Sequence, residues 1–309
     1  MRLAFAALLL WPFFLPAADP ELFPTAAKLE KLWGEGEFTE GPCLGPDGCI
    51  YFTDIGNRVM KYDPAANKTT VFRDPSGRSN GLKFDASGWL VACEGANTGG
   101  NRRISATQKD GTVKSLADRY DGKRFNSPND LTIDARGRVY FTDPRYVGNE
   151  PRELDSESVY RVDPDGSVAK IIADVQKPNG IVLSPDQKTL YLADSNNDPK
   201  GHRVLLAYPL KADGTVGLPK KLHDFGADRG IDGMTVTTDG LIVGAAGAGK
   251  TAGVYVFKPD GKKVGFLPTA EDPSNCCFGG KDMKTLYVTA GKSLYRIDTS
   301  MTGARLSKE

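Results

Sequence analysis

The chain has 309 residues, enough to bury a large core without disulfides, and its 40 basic and 39 acidic residues leave a formal charge of +1. That balance, with no basic run or patch, gives a nucleic-acid partner no support. Its 35 glycines and 20 prolines suit an all-β chain with many tight turns.

The first element in chain order is a leader. Arg2 precedes an apolar run over 3–15 (LAFAALLLWPFFL), small residues follow at Ala17 and Ala18, and Asp19-Pro20 begins a polar stretch. This is the order of a secretory signal peptide. The run is too short for a comfortable membrane span. The expectation is a signal peptide over 1–18, an exported chain, periplasmic or secreted, with no span after cleavage, and one domain over 19–309. The alternative is an uncleaved anchor.

The rest of the chain repeats. A turn with Asp or Gly, followed by an apolar or aromatic strand, occurs as GPDGCIYFTD (45–54), FDASGWLVACE (84–94) and IDARGRVYFTD (133–143). It returns as LSPDQKTLYLAD (183–194), VTTDGLIVGAA (236–246) and FGGKDMKTLYVTA (278–290). The landmarks Tyr51, Val91, Tyr140, Tyr191, Val243 and Tyr287 are separated by 40, 49, 51, 52 and 44 residues. That is the period of a four-stranded propeller blade.

A second strand pattern follows each first one, as in VMKYDP (59–64), SVYRVDPDG (158–166) and SLYRID (293–298). It is weaker in the second unit, around Arg103 to Gly111. Alternation of apolar and polar residues fits half-buried antiparallel strands. The last unit stops early, with a short polar tail after Asp298, whereas residues 28–33 precede the first unit. The pattern predicts an all-β, six-bladed β-propeller with four-stranded antiparallel blades, its ring closed by an N-terminal strand from 28–33 on the last blade. Closure would hide sheet edges that invite aggregation.

Chemistry emerges on stepping backwards from the landmarks. Eleven residues before Tyr51, Val91, Tyr140 and Val243 stand Glu40, Asn80, Asn129 and Asp232. Twelve before Tyr191 and Tyr287, where the turn is one residue longer, stand Asn179 and Asn275. Every blade thus starts its first strand with an oxygen-bearing side chain, and in a propeller that strand lines the central channel. Two carboxylates and four carboxamides, without His or Cys, suit Ca²⁺ best among divalent cations, ahead of Mg²⁺, Mn²⁺ or Zn²⁺. The competing explanation is local: Asn or Asp before Gly often marks a turn, and Asn80-Gly81, Asn179-Gly180 and Asp232-Gly233 fit it. Glu40 does not, because glutamate is a poor turn residue.

These residues also carry a resemblance. EGP (40–42), NSPND (126–130), KPNGI (177–181) and DGM (232–234) are similar to motifs of the senescence marker protein/gluconolactonase/regucalcin family. RSNGLKFD (78–85) and KRFNSPNDL (123–131) resemble its bacterial gluconolactonases. The likeness spans about 28–298. It implies a six-bladed propeller with one divalent cation, held by Glu40, Asn179 and Asp232 with Asn129 as ligand or substrate contact, and Asp232 as general base. Asn80 and Asn275 come from the repeat and are expected to face substrate. Animal members carry a substrate-contacting arginine two residues before the third-blade asparagine. Here that position is Ser127, and Arg124 is the nearby candidate to replace it.

The resulting expectation is a metal-dependent hydrolase of small lactones, most like a gluconolactonase, acting as a monomer or small homo-oligomer. The alternatives are a metal-dependent esterase or phosphoesterase and a non-catalytic ligand-binding propeller. There is no Gly-x-Ser-x-Gly elbow for a serine hydrolase. His202 and His223 read as solvated loop residues. Asp54, Glu94, Asp143 and Asp194 share a register after their second strands that argues for turn hydrogen bonding. Arg145-Tyr146 and the stretch Asn97 to Arg103 are candidate loops over the channel mouth. Cys43, Cys49, Cys93, Cys276 and Cys277 show no CxxC spacing and read as buried apolar thiols.

Overall fold

The structure is a computed structural model and describes residues 22–24, 28–95 and 99–305. The expected signal peptide lies outside the described residues. Six four-stranded antiparallel sheets follow one another along the chain. The inner strands are Thr39–Leu44, Ser79–Phe84, Leu131–Ile133, Pro178–Leu183, Met234–Val236 and Pro273–Gly279. Each landmark residue lies in the strand next to them. Among the described residues the only helical segment is a 3₁₀ turn at Gly249–Thr251.

The ring closes as the sequence predicts. Glu30–Trp33 pairs antiparallel with Ser293–Asp298, and completes the sixth sheet. The first and last parts of the domain are thereby stitched into one blade. The tail after Asp298 does more than the sequence suggested. It crosses to blade 5, where Gly303 bridges Thr237 and the Ala304 amide donates to the Val236 carbonyl at 2.9 Å.

Strand alternation explains the core. Residues of one face of a blade meet residues of the neighbouring blade, and the buried side chains fall into six clusters. Val91, Ile104, Leu131 and Phe141 join blades 2 and 3. Val182, Tyr191, Val236 and Phe257 join blades 4 and 5. Phe52, Tyr62, Tyr287 and Leu294 join blades 1 and 6. The remaining interfaces are built the same way. All five cysteines are buried and free, as the apolar reading requires. His223 departs from expectation. It lies in the strand Lys220–Asp224, packed against Phe225 and Phe257 at 4.7 and 4.9 Å, because its edge faces the blade interface. His202 is a loop residue with a 58 % exposed side chain.

The acids after the second strands hold the entry to each inner strand. Asp54 accepts the Glu37 and Phe38 amides at 2.9 and 3.2 Å. Asp143 accepts those of Asn126 and Ser127 at 2.8 and 2.7 Å, and Asp194 that of Lys177 at 2.7 Å. Glu94 instead anchors Arg73, Arg103 and Ser105 at 2.6–2.7 Å. Each buried carboxylate satisfies donors that would otherwise be orphaned.

At the axis the inner strands approach too closely for side chains. A Cβ on Gly41 would stand 2.2 Å from the Asn80 carbonyl oxygen, and one on Gly180 2.4 Å from that of Asp232. A Cβ on Gly81 or Gly233 would meet Asn129 and Asp130, or Asn275, just as closely. Gly81, Gly180 and Gly233 do not have positive φ. These glycines therefore exist for close approach between blades, and the turn explanation of Asn-Gly and Asp-Gly falls. Gly180→Ala should destabilise the protein by about 1–3 kcal/mol through overpacking, read as a lowered Tm. Because the clash is with Asp232 itself, cation affinity should fall with it.

Candidate active site

Five of the six repeat-equivalent residues line one cavity of about 410 Å³ at one mouth of the channel: Glu40, Asn80, Asn129, Asn179 and Asp232. The inner strands carry them there with the alternation of a strand, one blade after another. Asn129 and Asp232 stand just before their short inner strands, where the Thr142 and Ala245 carbonyls accept their amides at 2.9 Å. Asn275 is brought to the axis but not to this lining. Its Oδ1 accepts the Cys276 amide at 2.8 Å and its Nδ2 stands 3.5 Å from Asp130. Arg124 is also outside the lining, on a two-strand hairpin, where its guanidinium donates to the Asn101 carbonyl at 3.1 Å.

Two other arginines enter the cavity. Arg78 stands two residues before Asn80, the blade-2 counterpart of Ser127, and donates to the Gly56 carbonyl at 2.8 Å. Arg229 forms an ion pair with Asp232 Oδ2 and donates to the Pro273 carbonyl at 2.7 Å. The expected mouth loop is present: Tyr146 and Val147 line the cavity, and the Tyr146 hydroxyl contacts Asn179. Of the second expected loop, Asn97 and Thr98 lie outside the described residues. Phe38, Ile55 and Val147 add an apolar margin.

Asp130 is a further axial group that the repeat argument passed over. It occupies the register that is glycine at 41, 81, 180 and 233 and cysteine at 276, and a Cβ on Gly81 would meet its Oδ1 at 2.6 Å. The Leu131 amide donates to it at 2.9 Å. The register itself was the available signal, since the six positions hold four glycines, Cys276 and this one acid.

Three buried carboxyls therefore share the axis. Burial, then the neighbouring Asp232 charge, push Glu40 well above the ordinary carboxylate range. Burial also raises Asp232, against the pull of Arg229, Asn179 and Glu40. Burial lifts Asp130 to about 6, partly opposed by Lys83. Glu40 and Asp232 titrate as a unit, as close acid pairs do. Among the described residues no group of three or more His, Cys, Asp and Glu gathers in a metal-binding arrangement. The donor set is mixed instead, two carboxylates with carboxamide oxygens. Buried negative charge beyond what Arg229 offsets, presented through hard oxygens, fits a divalent cation. At the other end of the same inner strands, Cys43, Lys83 and Cys277 line a second, larger cavity of about 980 Å³.

The SMP-30/gluconolactonase/LRE-like family model matches residues 38–292. The chain belongs to this family. A gluconolactonase of Zymomonas mobilis is 30 % identical over 94 % of the chain and 86 % of its own length. The structure of a gluconolactonase from Xanthomonas campestris is similar with a TM-score of 0.79 at 30 % identity, covering 92 % of this chain and 96 % of that one. A calcium-binding regucalcin of Agrobacterium tumefaciens shares the fold at 20 % identity, TM-score 0.74, over 92 % and 99 % of the two chains.

The raised Asp130 group gives a signed pH dependence. Its carboxyl is protonated more readily folded than unfolded, so its ionisation costs stability above about pH 6 and that cost vanishes below about pH 4. In chelator-treated protein, Asp130→Asn should therefore gain stability over the wild type at pH 8. The gap should close as pH falls through about 6 to 4, read from denaturant midpoints at each pH.

Proposed function

We propose that this protein is a divalent-cation-dependent hydrolase of small lactones, with a sugar lactone such as gluconolactone as substrate and an aldonic acid as product. The observation that carries the reading is the placing of Glu40, Asp232 and three asparagines, from five blades, around one cavity. A scaffold for ligand binding has no need of buried carboxylates on its axis. Membership of a family whose similar members include gluconolactonases supports the same reading.

Glu40, Asn179 and Asp232 would hold the cation, with Asn129 beside them. Ca²⁺ suits this oxygen set best, with Mg²⁺, Mn²⁺ or Zn²⁺ as alternatives. When bound, it supplies Lewis-acid stabilisation of the oxyanion that develops on the lactone carbonyl. Asp232 takes the proton of the attacking water. Arg229 pairs with Asp232 Oδ2 and favours its ionised form, against the burial that raises it. Arg229 thereby makes Asp232 a weaker base, which a reactive lactone tolerates. Asn80, Asn129 and Arg78 present hydrogen-bonding groups to the hydroxyls of a sugar ring. The leader over 1–18 exports the enzyme to a periplasm or the medium.

The test is proton release from D-glucono-1,5-lactone, with chelator and with each cation restored. Activity should disappear with chelator and return most fully with Ca²⁺. Asp232→Asn should lower kcat by about 10²–10⁴, the range of a general base, with cation content measured alongside. Full turnover by a cation-loaded Asp232→Asn protein would remove Asp232 as the base. Cation binding with no turnover of any lactone or ester would leave a binding propeller.

A further inference from the structure

We infer that Tyr146 is a positioning residue for the cation site, fixing the Asn179 amide so that its oxygen, and not its nitrogen, is offered to the cavity. The inference rests on the reading of Asn179 as a cation ligand. Tyr146 reaches Asn179 from a different blade. It follows the second strand of blade 3, whereas Asn179 belongs to the inner strand of blade 4. Arg145 fixes the start of this loop. Its guanidinium donates to the Asn126 carbonyl at 2.7 and 3.0 Å and to the Glu150 carbonyl at 2.9 Å. Lys177 Nζ lies 5.1 Å from the centre of the Tyr146 ring.

The hydrogen-bond network decides the direction of the amide. The Tyr146 hydroxyl stands 3.0 Å from the Ser195 carbonyl oxygen and 3.4 Å from that of Lys177. Both partners only accept, so the phenolic hydrogen must point to them. What remains for Asn179 is a lone pair, and only Nδ2 can use it, at 3.1 Å. A flipped amide would set Oδ1 against an oxygen whose single hydrogen is already committed. Asn179 also helps to draw Asp232 back toward its ionised form. The Tyr146 oxygen thus takes Nδ2, and Oδ1 is left as the amide atom offered to a cation.

Asn275 shows the contrast. Its Oδ1 is consumed by the Cys276 amide, and its Nδ2 faces Asp130. Equivalent asparagines in the repeat are therefore turned in opposite senses by their surroundings. Partners of this kind typically change metal affinity by about 10–100-fold.

The experiment is calorimetric titration of Ca²⁺ into chelator-stripped protein, for wild type, Tyr146→Phe, Asn179→Asp and the double variant. Tyr146→Phe should weaken Ca²⁺ binding about 10-fold, while the Tm of the stripped protein falls by no more than the about 2–4 °C expected for one lost hydrogen bond. In the Asn179→Asp background the same change should cost little affinity, because a carboxylate has two equivalent oxygens and nothing to orient. Unchanged Ca²⁺ affinity in Tyr146→Phe overturns the inference, as does an equal loss in both backgrounds, which would mark Tyr146 as packing only. Wild-type protein that binds no divalent cation overturns the cation reading itself.

Discussion

Six inner strands converge on one axis so tightly that several of their residues have no room for a side chain. Everything at the site follows from that crowding. Glycine at 41, 81 and 180 lets a blade lean on the backbone of the next, and Gly233 makes room for the Asn275 side chain, with contacts that would fall within 2.0–2.8 Å of a Cβ. The residue before each glycine is then carried to the channel wall. Strand alternation aims its side chain into the channel mouth, and backbone contact between blades fixes its height. The ring of Glu40, Asn80, Asn129, Asn179 and Asp232 is thus a by-product of how wedges meet. Its precision comes from rigid strands, the kind of support a catalytic constellation needs.

The crowding also sets the electrostatics. Close approach of the blades excludes water from the axis, so each carboxyl there becomes costly to ionise. Glu40, Asp130 and Asp232 all feel this, and Arg229 offsets part of it at Asp232. The same exclusion makes any cation or dipole placed there more effective than in water. The acids after the second strands play the opposite part. Asp54, Asp143 and Asp194 accept two or more backbone amide bonds apiece, or share two amides, and hold chain entries instead of facing the cavity.

Most of the fold was legible because a propeller repeats, and the repeat survives in the turn-then-strand pattern around Tyr51, Tyr140 and Tyr287. The axial donors were legible for the same reason: once one register is found, all six follow. Strand closure by Glu30–Trp33 came from counting, since blade 6 lacked one strand. Arg229 was not legible as part of the site, and Tyr146 was legible as a mouth-loop residue but not as the partner of Asn179. Each acts through a contact between segments whose spacing carries no period, one from a turn three residues before Asp232, the other across blades. His223 was misread because a polar neighbourhood in sequence hid a strand whose face meets Phe225 and Phe257. Arg124 drew attention through proximity to Ser127 in the chain, whereas the cavity-lining arginine in the register of Ser127 is Arg78, one blade earlier.

The composition of the ring has its own logic. Two unit charges 4 Å apart interact by about 4 kcal/mol at an effective dielectric near 20. Six carboxylates on one axis would repel one another beyond what a single cation could offset. Six amides would present oxygens with no charge to draw a cation out of water. The chain takes an intermediate course. Glu40, Asp130 and Asp232 give three negative groups when ionised, and Arg229 supplies one positive group beside them. Arg78 is a second positive group at the cavity wall, and Lys83 tempers Asp130 from the other channel mouth, so the axial carboxyls are offset only in part without a cation. Neutral asparagines complete the oxygen shell without adding repulsion. For such donors orientation matters more than for carboxylates, because an amide has one useful face. That places a demand on the surroundings of Asn179 that a carboxylate there would never make.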